Sequence, residues 1–199
     1  EEMTNKELAN LIFPNIDKTV EDYKEMYPRR EGDFAVTRFA PSPTGYVHIG
    51  GIYQAIIDFL IARNNNGVFF LRIEDTDQKR ELKEAVDLIK EALYYYGLVP
   101  NEYQLDGKTV GNYGPYVQSE RKEIYHAFIK HLIEIDRAYP CFCTHDTLEE
   151  LRTMQEHKKQ RTGYYGKYAK CRQLSVEEMI NKVKEGIPYV IRFKSEGDF

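Results

Sequence analysis

The sequence predicts an α/β fold, an open parallel sheet in the first half of the chain with an α+β segment joined to it. Three observations carry this. Strand and helix patterns alternate between residues 35 and 97 at the spacing of a βαβ unit. The 199 residues, 42% hydrophobic and 30% charged, suffice for one well-buried domain, or one domain with a smaller insert, and exclude a mostly disordered chain. After Pro100 the alternation gives way to polar, Tyr- and Gly-rich sequence, then to separate helices and short strands. The expected divisions are a helical extension over 1–33, the sheet over 34–100 and the insert over 101–199.

In the extension, Leu8, Leu11 and Ile12 form a short apolar stripe, and Val20, Tyr23 and Met26 begin another after Pro14. Ala35–Phe39 is a strand pattern, ended by the turn Pro41-Ser42-Pro43-Thr44-Gly45, which can continue neither sheet nor helix. Ile52, Ala55, Ile56, Phe59 and Leu60 repeat with the spacing of one buried helix face. Asn64–Gly67 is a turn signal, and Val68–Leu71 with Ile73 reads as a mostly buried strand. A second helix carries Leu82, Ala85, Val86, Ile89, Ala92, Leu93 and Tyr96 on one face, with Gly97 as its C-terminal cap. A helix is expected over 119–135 and a strand over 139–142. Capping boxes are expected at Thr147 with Glu150 and at Ser175 with Glu178, and an alternating strand closes the chain at 189–194. A chain stopping at 195–199, directly after a strand, reads as truncated.

No apolar run approaches the roughly 18–20 residues of a membrane helix, and the acidic start has no signal-peptide pattern. Three cysteines argue against a secreted disulfide framework. A soluble, cytoplasmic protein is therefore expected. The net charge of −4 supplies no global field for nucleic acid. Locally, 151–172 holds seven basic side chains against Glu156 alone, whereas 1–33 holds nine acidic against five basic. The basic segment suits either a phosphate backbone or a solvated helix face with a basic loop.

The chemistry is concentrated in residues 37–51, Thr-Arg-Phe-Ala-Pro-Ser-Pro-Thr-Gly-Tyr-Val-His-Ile-Gly-Gly. A strand delivers Arg38 at its end, a rigid turn follows, and His48-Ile49-Gly50-Gly51 opens a helix. A helix N-terminus offers unpaired N–H groups and a positive dipole end, and glycines let a phosphorylated ligand approach the backbone. Parallel strands present their C-terminal ends on one edge, so Arg38 and Glu74 should face one crevice. An Arg for a carboxylate and a Glu for an ammonium describe an amino-acid pocket beside a nucleotide site. Alternatively Glu74, Asp75 and Asp77 form a loop or cap cluster, or ligate Mg²⁺.

These residues, with Ile73–Asp77, Tyr113–Tyr116, Gln118–Arg121 and Ala138–Cys143, resemble the amino-terminal half of the bacterial-type glutamyl-tRNA synthetases, class I aminoacyl-tRNA synthetases. The likeness covers roughly 35–199. It implies a Rossmann-like catalytic domain with an inserted acceptor-stem-binding subdomain, and ATP-dependent attachment of L-glutamate to tRNA(Glu) through a glutamyl adenylate. Carried over residue by residue, it implies that Arg38, Ser42 and Glu74 contact glutamate. Ala40, Thr44, His48, Gly50 and Gly51 would line the site for ATP with Mg²⁺, His48 stabilising charge at phosphorus with the two glycines beside it. Lys158, Lys159, Arg161 and Arg172 would contact the tRNA acceptor stem, and a monomer is expected. The second class I signature, a Lys-x-Ser-Lys-type loop, is absent, so these 199 residues alone are expected to be inactive.

Cys141-x-Cys143 and Cys171 resemble a zinc site of some members, with Tyr168, His145 or water completing the shell. The other reading is of three buried thiols that have lost their metal. Two rival functions remain: a glutamyl-queuosine tRNA(Asp) synthetase, and a non-catalytic tRNA-binding module. The first tends to read Ser-Pro-Ser-Gly and His-Phe-Gly-Ser where this chain has Ser42–Gly45 and His48–Gly51. The second has no need of Arg38, His48 and Glu74 together.

Overall fold

A computed structural model describes residues 3–76 and 84–195, so Asp77, Leu82 and the last four residues lie outside the described residues. In chain order the elements begin with α1 (Asn5–Ile12), α2 (Val20–Met26), β1 (Val36–Phe39), α3 (Ile49–Asn64), β2 (Val68–Leu71) and α4 (Ala85–Tyr95). There follow β3 (Tyr103–Leu105), β4 (Lys108–Val110), α5 (Lys122–Glu134), β5 (Ala138–Cys141), α6 (His145–His157), α7 (Val176–Lys184) and β6 (Val190–Phe193). Contacts divide the chain into two compact units, one spanning Glu21–Ile124, the other formed by the residues up to Val20 and from Tyr125 onward.

In the 21–124 unit, β1 and β2 pair in parallel from Val36↔Val68 to Phe39↔Leu71, with α3 as the crossover. The ladder runs past both strands, because Arg72 N–H donates to Phe39 O (3.0 Å) and Glu74 N–H to Pro41 O (3.0 Å). On its other edge β2 is bridged in parallel to Glu102, and Ile73 to Val117. Phe39, Ala55, Phe69, Leu71, Ile89 and Leu93 form the core under this sheet. Two expected core positions differ. Leu60 is 43% exposed on α3 and Tyr96 is 51% exposed. Tyr96 lies past the last turn of α4, where the cap redirects the chain. Gly97, at φ +69°, donates to Tyr94 O, and Leu98 N–H reaches back to Leu93 O, a Schellman closure that buries Leu98.

Residues 103–110, to which the sequence reading assigned no element, are a hairpin. Its two-residue turn is Asp106-Gly107, both at positive φ, as a type I′ turn demands. Above it a polar network fixes the 113–116 loop. Arg30 Nη2 donates to Glu102 Oε2 (2.6 Å), Tyr116 OH donates to the same oxygen (2.7 Å), and the Arg30 guanidinium lies 3.8 Å from the centre of the Tyr113 ring. Burial raises the Glu102 carboxyl, but the Arg30 and Tyr116 hydrogen bonds outweigh it, so its pKa is lowered. Its ionisation therefore stabilises the fold above its ordinary pKa, and that contribution is lost as the pH falls through the lower folded value. Glu102→Gln is expected to cost about 2–4 kcal/mol at pH 7, since Arg30 keeps its charge without a counter-ion. In urea titrations the loss should shrink as the pH is lowered through the carboxylate range.

The other unit is built around the antiparallel pair β5 and β6, in register Ala138↔Phe193 to Cys141↔Val190. Its core comprises Leu8, Ala9, Ile133, Tyr139, Met179 and Ile180, with α1 packed on α7. The extension thus places its first helix in one core, while Tyr23 is buried in the other unit. The Ser175–Glu178 capping box forms as expected, and Thr4 makes a second with Glu7. Thr147–Glu150 does not: α6 begins one turn earlier, capped by Thr144, whose Oγ1 accepts Thr147 N–H. Because Thr147, and not Glu or Gln, is the third helical residue, this cap has no reciprocal half.

Candidate functional site

The crevice forms where β1 and β2 end. Arg38, the third residue of β1, and Glu74, three residues beyond β2, meet there, with Arg38 Nη1 3.6 Å from Glu74 Oε1. Arg72, to which the sequence reading gave no role, donates from Nε to the same oxygen at 2.8 Å. Ala40 sits half-buried between the two carbonyls that accept Arg72 and Glu74 N–H, so the loop carrying Ser42 is fixed by the acidic strand end. Ser42, Thr44 and His48 are exposed; Pro43 is buried beneath them, and Thr44 N–H donates to Ser42 O (2.9 Å).

His48 is the N-cap of α3, in extended conformation and without a side-chain capping bond. The first intrahelical bonds run from Gly51 and Ile52 N–H to His48 O, which leaves the Ile49 and Gly50 N–H groups at the exposed helix start. The two glycines differ. A Cβ on Gly51 would lie 3.1 Å from Val47 Cγ1, whereas one on Gly50 would meet nothing within 4 Å. At Gly51 a side chain would press on Val47 of its own loop. Gly50 leaves space that the protein does not use.

Asp75 is a cap. Its Oδ1 accepts Ser119 N–H (2.8 Å) and its Oδ2 accepts the Ser119 hydroxyl, at the start of the short 3-10 helix Gln118–Arg121. A carboxylate missed from the sequence is Asp58 of α3. Its Oδ2 is buried with no hydrogen-bond partner, and burial raises its pKa against the downward pull of Arg38. It stands among Ala55, Ile56 and Phe59, where a lone acid in an apolar stripe was the available signal.

In the other unit the Sγ atoms of Cys141, Cys143 and Cys171 all lie within 4.8 Å of one another, the last two 3.7 Å apart. A tetrahedral zinc with bonds of about 2.3 Å to sulfur sets two sulfurs about 3.8 Å apart. The donor set therefore fits the ion. The Tyr168 hydroxyl donates to Gln160 Oε1 (2.5 Å), while Tyr164 OH lies 3.3 Å from Cys143 Sγ and accepts Cys171 N–H (3.1 Å). His145 is exposed at the start of α6, with carboxylate oxygens of Glu149 and Asp146 at 3.8 and 4.0 Å. Burial disfavours the Cys141 thiolate, but hydrogen bonds from Tyr164, the Cys143 N–H and Arg192 bring its pKa down to about 7. Burial first, then its thiol neighbours, push Cys143 up to about 11. A cavity of about 460 Å³ reaches Cys143 and Tyr164 and has Lys167 and Lys170 at its wall.

The basic loop after α6 is pinned by Gln155, which is fully buried and exchanges both amide hydrogen bonds with the backbone of Gly163 (2.8 and 2.9 Å). Lys158, Lys159 and Arg161 are exposed; Arg172 is half-buried. No helix among the described residues is long and apolar enough to cross a membrane.

A family model described as tRNA synthetases class I (E and Q), catalytic domain, matches residues 35–198. The chain is 47% identical over 200 residues to a glutamate–tRNA ligase of Acetivibrio thermocellus and 47% identical over 199 to one of Clostridium perfringens, covering 98% of this chain in each case. It spans only 36% of the length of either relative. Among solved structures it is similar to a glutamate–tRNA synthetase from Elizabethkingia anophelis, with TM-score 0.73 and 38% identity over 84% of this chain and 34% of that one. It is also similar to a glutamate tRNA ligase from Elizabethkingia meningosepticum in complex with its amino acid, with TM-score 0.71 and 39% identity over 81% of this chain and 32% of that one. On its parallel βαβ core and on this match, the chain belongs to the class I tRNA synthetases of the E and Q group, and carries part of their catalytic domain.

Proposed function

We propose that this chain is the amino-terminal part of a cytoplasmic, monomeric glutamate–tRNA ligase, which joins L-glutamate to tRNA(Glu) through an adenylate. The observation that carries this reading is the convergence of Arg38 and Glu74 at the end of the parallel strands, in the same loop system as the start of α3. In this reading Arg38 receives a carboxylate of glutamate, Glu74 its ammonium, and Ser42 a further polar contact. ATP with Mg²⁺ takes the surface of Ala40, Thr44, His48, Gly50 and Gly51, where helix N–H groups favour phosphate. His48 acts by stabilising charge as the glutamate carboxylate displaces pyrophosphate from the α-phosphorus, an electrostatic role that requires no proton transfer. The tRNA terminal ribose then takes the glutamyl group.

Residues 34–100 supply the nucleotide and amino-acid side, residues 101–199 the acceptor-stem side, and 1–33 an extension. The exposed Lys158, Lys159 and Arg161, with Arg172, suit the phosphates of the acceptor stem. Cys141, Cys143, Cys171 and Tyr164 would hold one structural zinc, which ties β5 to the loop before α7. Purified protein is expected to contain close to one zinc per chain, by elemental analysis. Cys171→Ser should lose it, and Tyr164→Phe should weaken its retention against a chelator about 10- to 100-fold. Below about 0.2 zinc per chain in wild type, the three cysteines are plain thiols.

The test of function uses the complete polypeptide, labelled glutamate, ATP and an unmodified tRNA(Glu) transcript. Acid-precipitable glutamyl-tRNA is the expected product, and the 199 residues alone should make none, because they lack the Lys-x-Ser-Lys-type loop. Labelling of native modified tRNA(Asp) alone would assign a queuosine-modifying enzyme instead. Binding of tRNA without any labelling would leave a binding module.

A further inference from the structure

We infer that Arg72 is a positioning residue for the amino-acid pocket: it holds the Glu74 carboxylate in place, while Arg38 is the exchangeable partner of that carboxylate. The inference rests on the reading of Arg38 and Glu74 as the glutamate-binding pair. Glu74 has two cationic neighbours, and they are not equivalent. Arg72 Nε is 2.8 Å from Oε1, a charged hydrogen bond, whereas Arg38 Nη1 is 3.6 Å from the same oxygen, close enough for attraction but too far for a hydrogen bond. The Arg72 side chain is 19% exposed and that of Arg38 44%.

The backbone explains the difference. Arg72 and Glu74 are two residues apart, the spacing that puts both side chains on one side of an extended chain. Their N–H groups are fixed in turn by the carbonyls of Phe39 and Pro41. The Arg72–Glu74 pair is thus organised by the segment that carries it. Arg38 approaches from the neighbouring strand.

Without ligand, Arg38 and Glu74 partly neutralise each other. An amino acid brings the same two charges, so its ammonium can replace Arg38 at Glu74 while one of its carboxylates takes the Arg38 guanidinium. The exchange gives each of the two separated charges a new partner of opposite sign, and it demands a ligand that carries both signs. Arg72 takes no part in the exchange. It anchors Oε1 throughout, so that Glu74 is already placed when the ammonium arrives.

The test compares Arg72→Gln, Arg72→Lys and Glu74→Gln in the complete polypeptide, by ATP–pyrophosphate exchange at varied glutamate and varied ATP. For Arg72→Gln the expected result is a KM for glutamate raised about 10- to 100-fold, with kcat at saturating glutamate and KM for ATP within about twofold of wild type. Arg72→Lys should recover part of the loss, because the cation remains while the planar donor is gone. The inference is overturned if Arg72→Gln leaves KM for glutamate unchanged while Glu74→Gln raises it. It is also overturned if Arg72→Gln lowers kcat and raises both KM values together, the mark of a general structural role. If Glu74→Gln itself leaves KM for glutamate unchanged, the underlying reading of the pocket has failed.

Discussion

Arg38→Ala in the complete polypeptide is expected to lower kcat/KM for glutamate about 10²- to 10³-fold, with KM for ATP little changed. Two effects add in the same direction. The substrate carboxylate loses a charged donor, and Glu74 loses the cation that balances it in the ligand-free crevice. Truncating one member of a close charge pair costs about 2–5 kcal/mol, much of it from the group left behind. Arg38→Lys should restore less than half of that energy, because an ammonium cannot present the paired donors of a guanidinium to a carboxylate. His48→Ala should fall on the other side of the reaction: kcat drops while KM for glutamate stays near wild type, since stabilisation at phosphorus is felt in the transition state. A uniform loss in all three variants, with ATP and glutamate affected alike, would mean that the crevice is not divided in this way. Initial rates of ATP–pyrophosphate exchange across both substrates decide it.

The part of this site that was legible in sequence is the part set by chain direction. Parallel strands joined by one helix bring their C-terminal ends together whatever their side chains are, so Arg38 and Glu74 could be paired from spacing alone. Arg72 could not, because an arginine two residues before a glutamate does not declare which of several carboxylates it will hold. Tyr164 was missed for a different reason. Between α6 and α7 the chain turns through two short 3-10 helices, Gly166–Tyr168 and Lys170–Gln173, and counting back from Cys171 along such a path does not predict which tyrosine faces the sulfurs. The hairpin at 103–110 was legible but unread. Asp-Gly flanked by Tyr103, Leu105 and Val110 is a turn with a mechanism, obscured by the polar residues around it. The helices show the limit of periodicity. Leu60 fits the apolar repeat of α3 as well as Ile52 does, yet it is exposed while Ile52 is buried. Tyr53, Ile57 and Ile61 are exposed on the same helix, so a helix with apolar residues around most of its circumference does not reveal which face is covered.

The same limit gives a large stability effect outside the site. Leu8, Leu11 and Ile12 read as one stripe, but the structure separates them: Leu8 is 1% exposed and Leu11 36%. Leu8 and Ala9 enter a core with Ile133, Tyr139 and Met179, on the side of α1 that meets α7. Leu8→Ala should therefore cost about 3 kcal/mol, the transfer of a full side chain plus the cavity it leaves in a packed cluster. Leu11→Ala, at a half-solvated position, should change stability by no more than about 0.5 kcal/mol. Thr4→Ala belongs between them at about 1 kcal/mol, because it removes the Oγ1 acceptor of the Glu7 N–H from a capping box that closes the first turn, while the Thr4 N–H keeps its bond to the Glu7 carboxylate. Urea unfolding midpoints of the three variants, measured side by side, test the order. Equal losses at Leu8 and Leu11 would show that α1 is rotated on α7 relative to this packing. No loss at Leu8 would show that the acidic extension is not part of this core at all. The expected order makes the first helix of the extension an integral element of the unit that carries the cysteines and the basic loop, held there by one leucine more than by its charge.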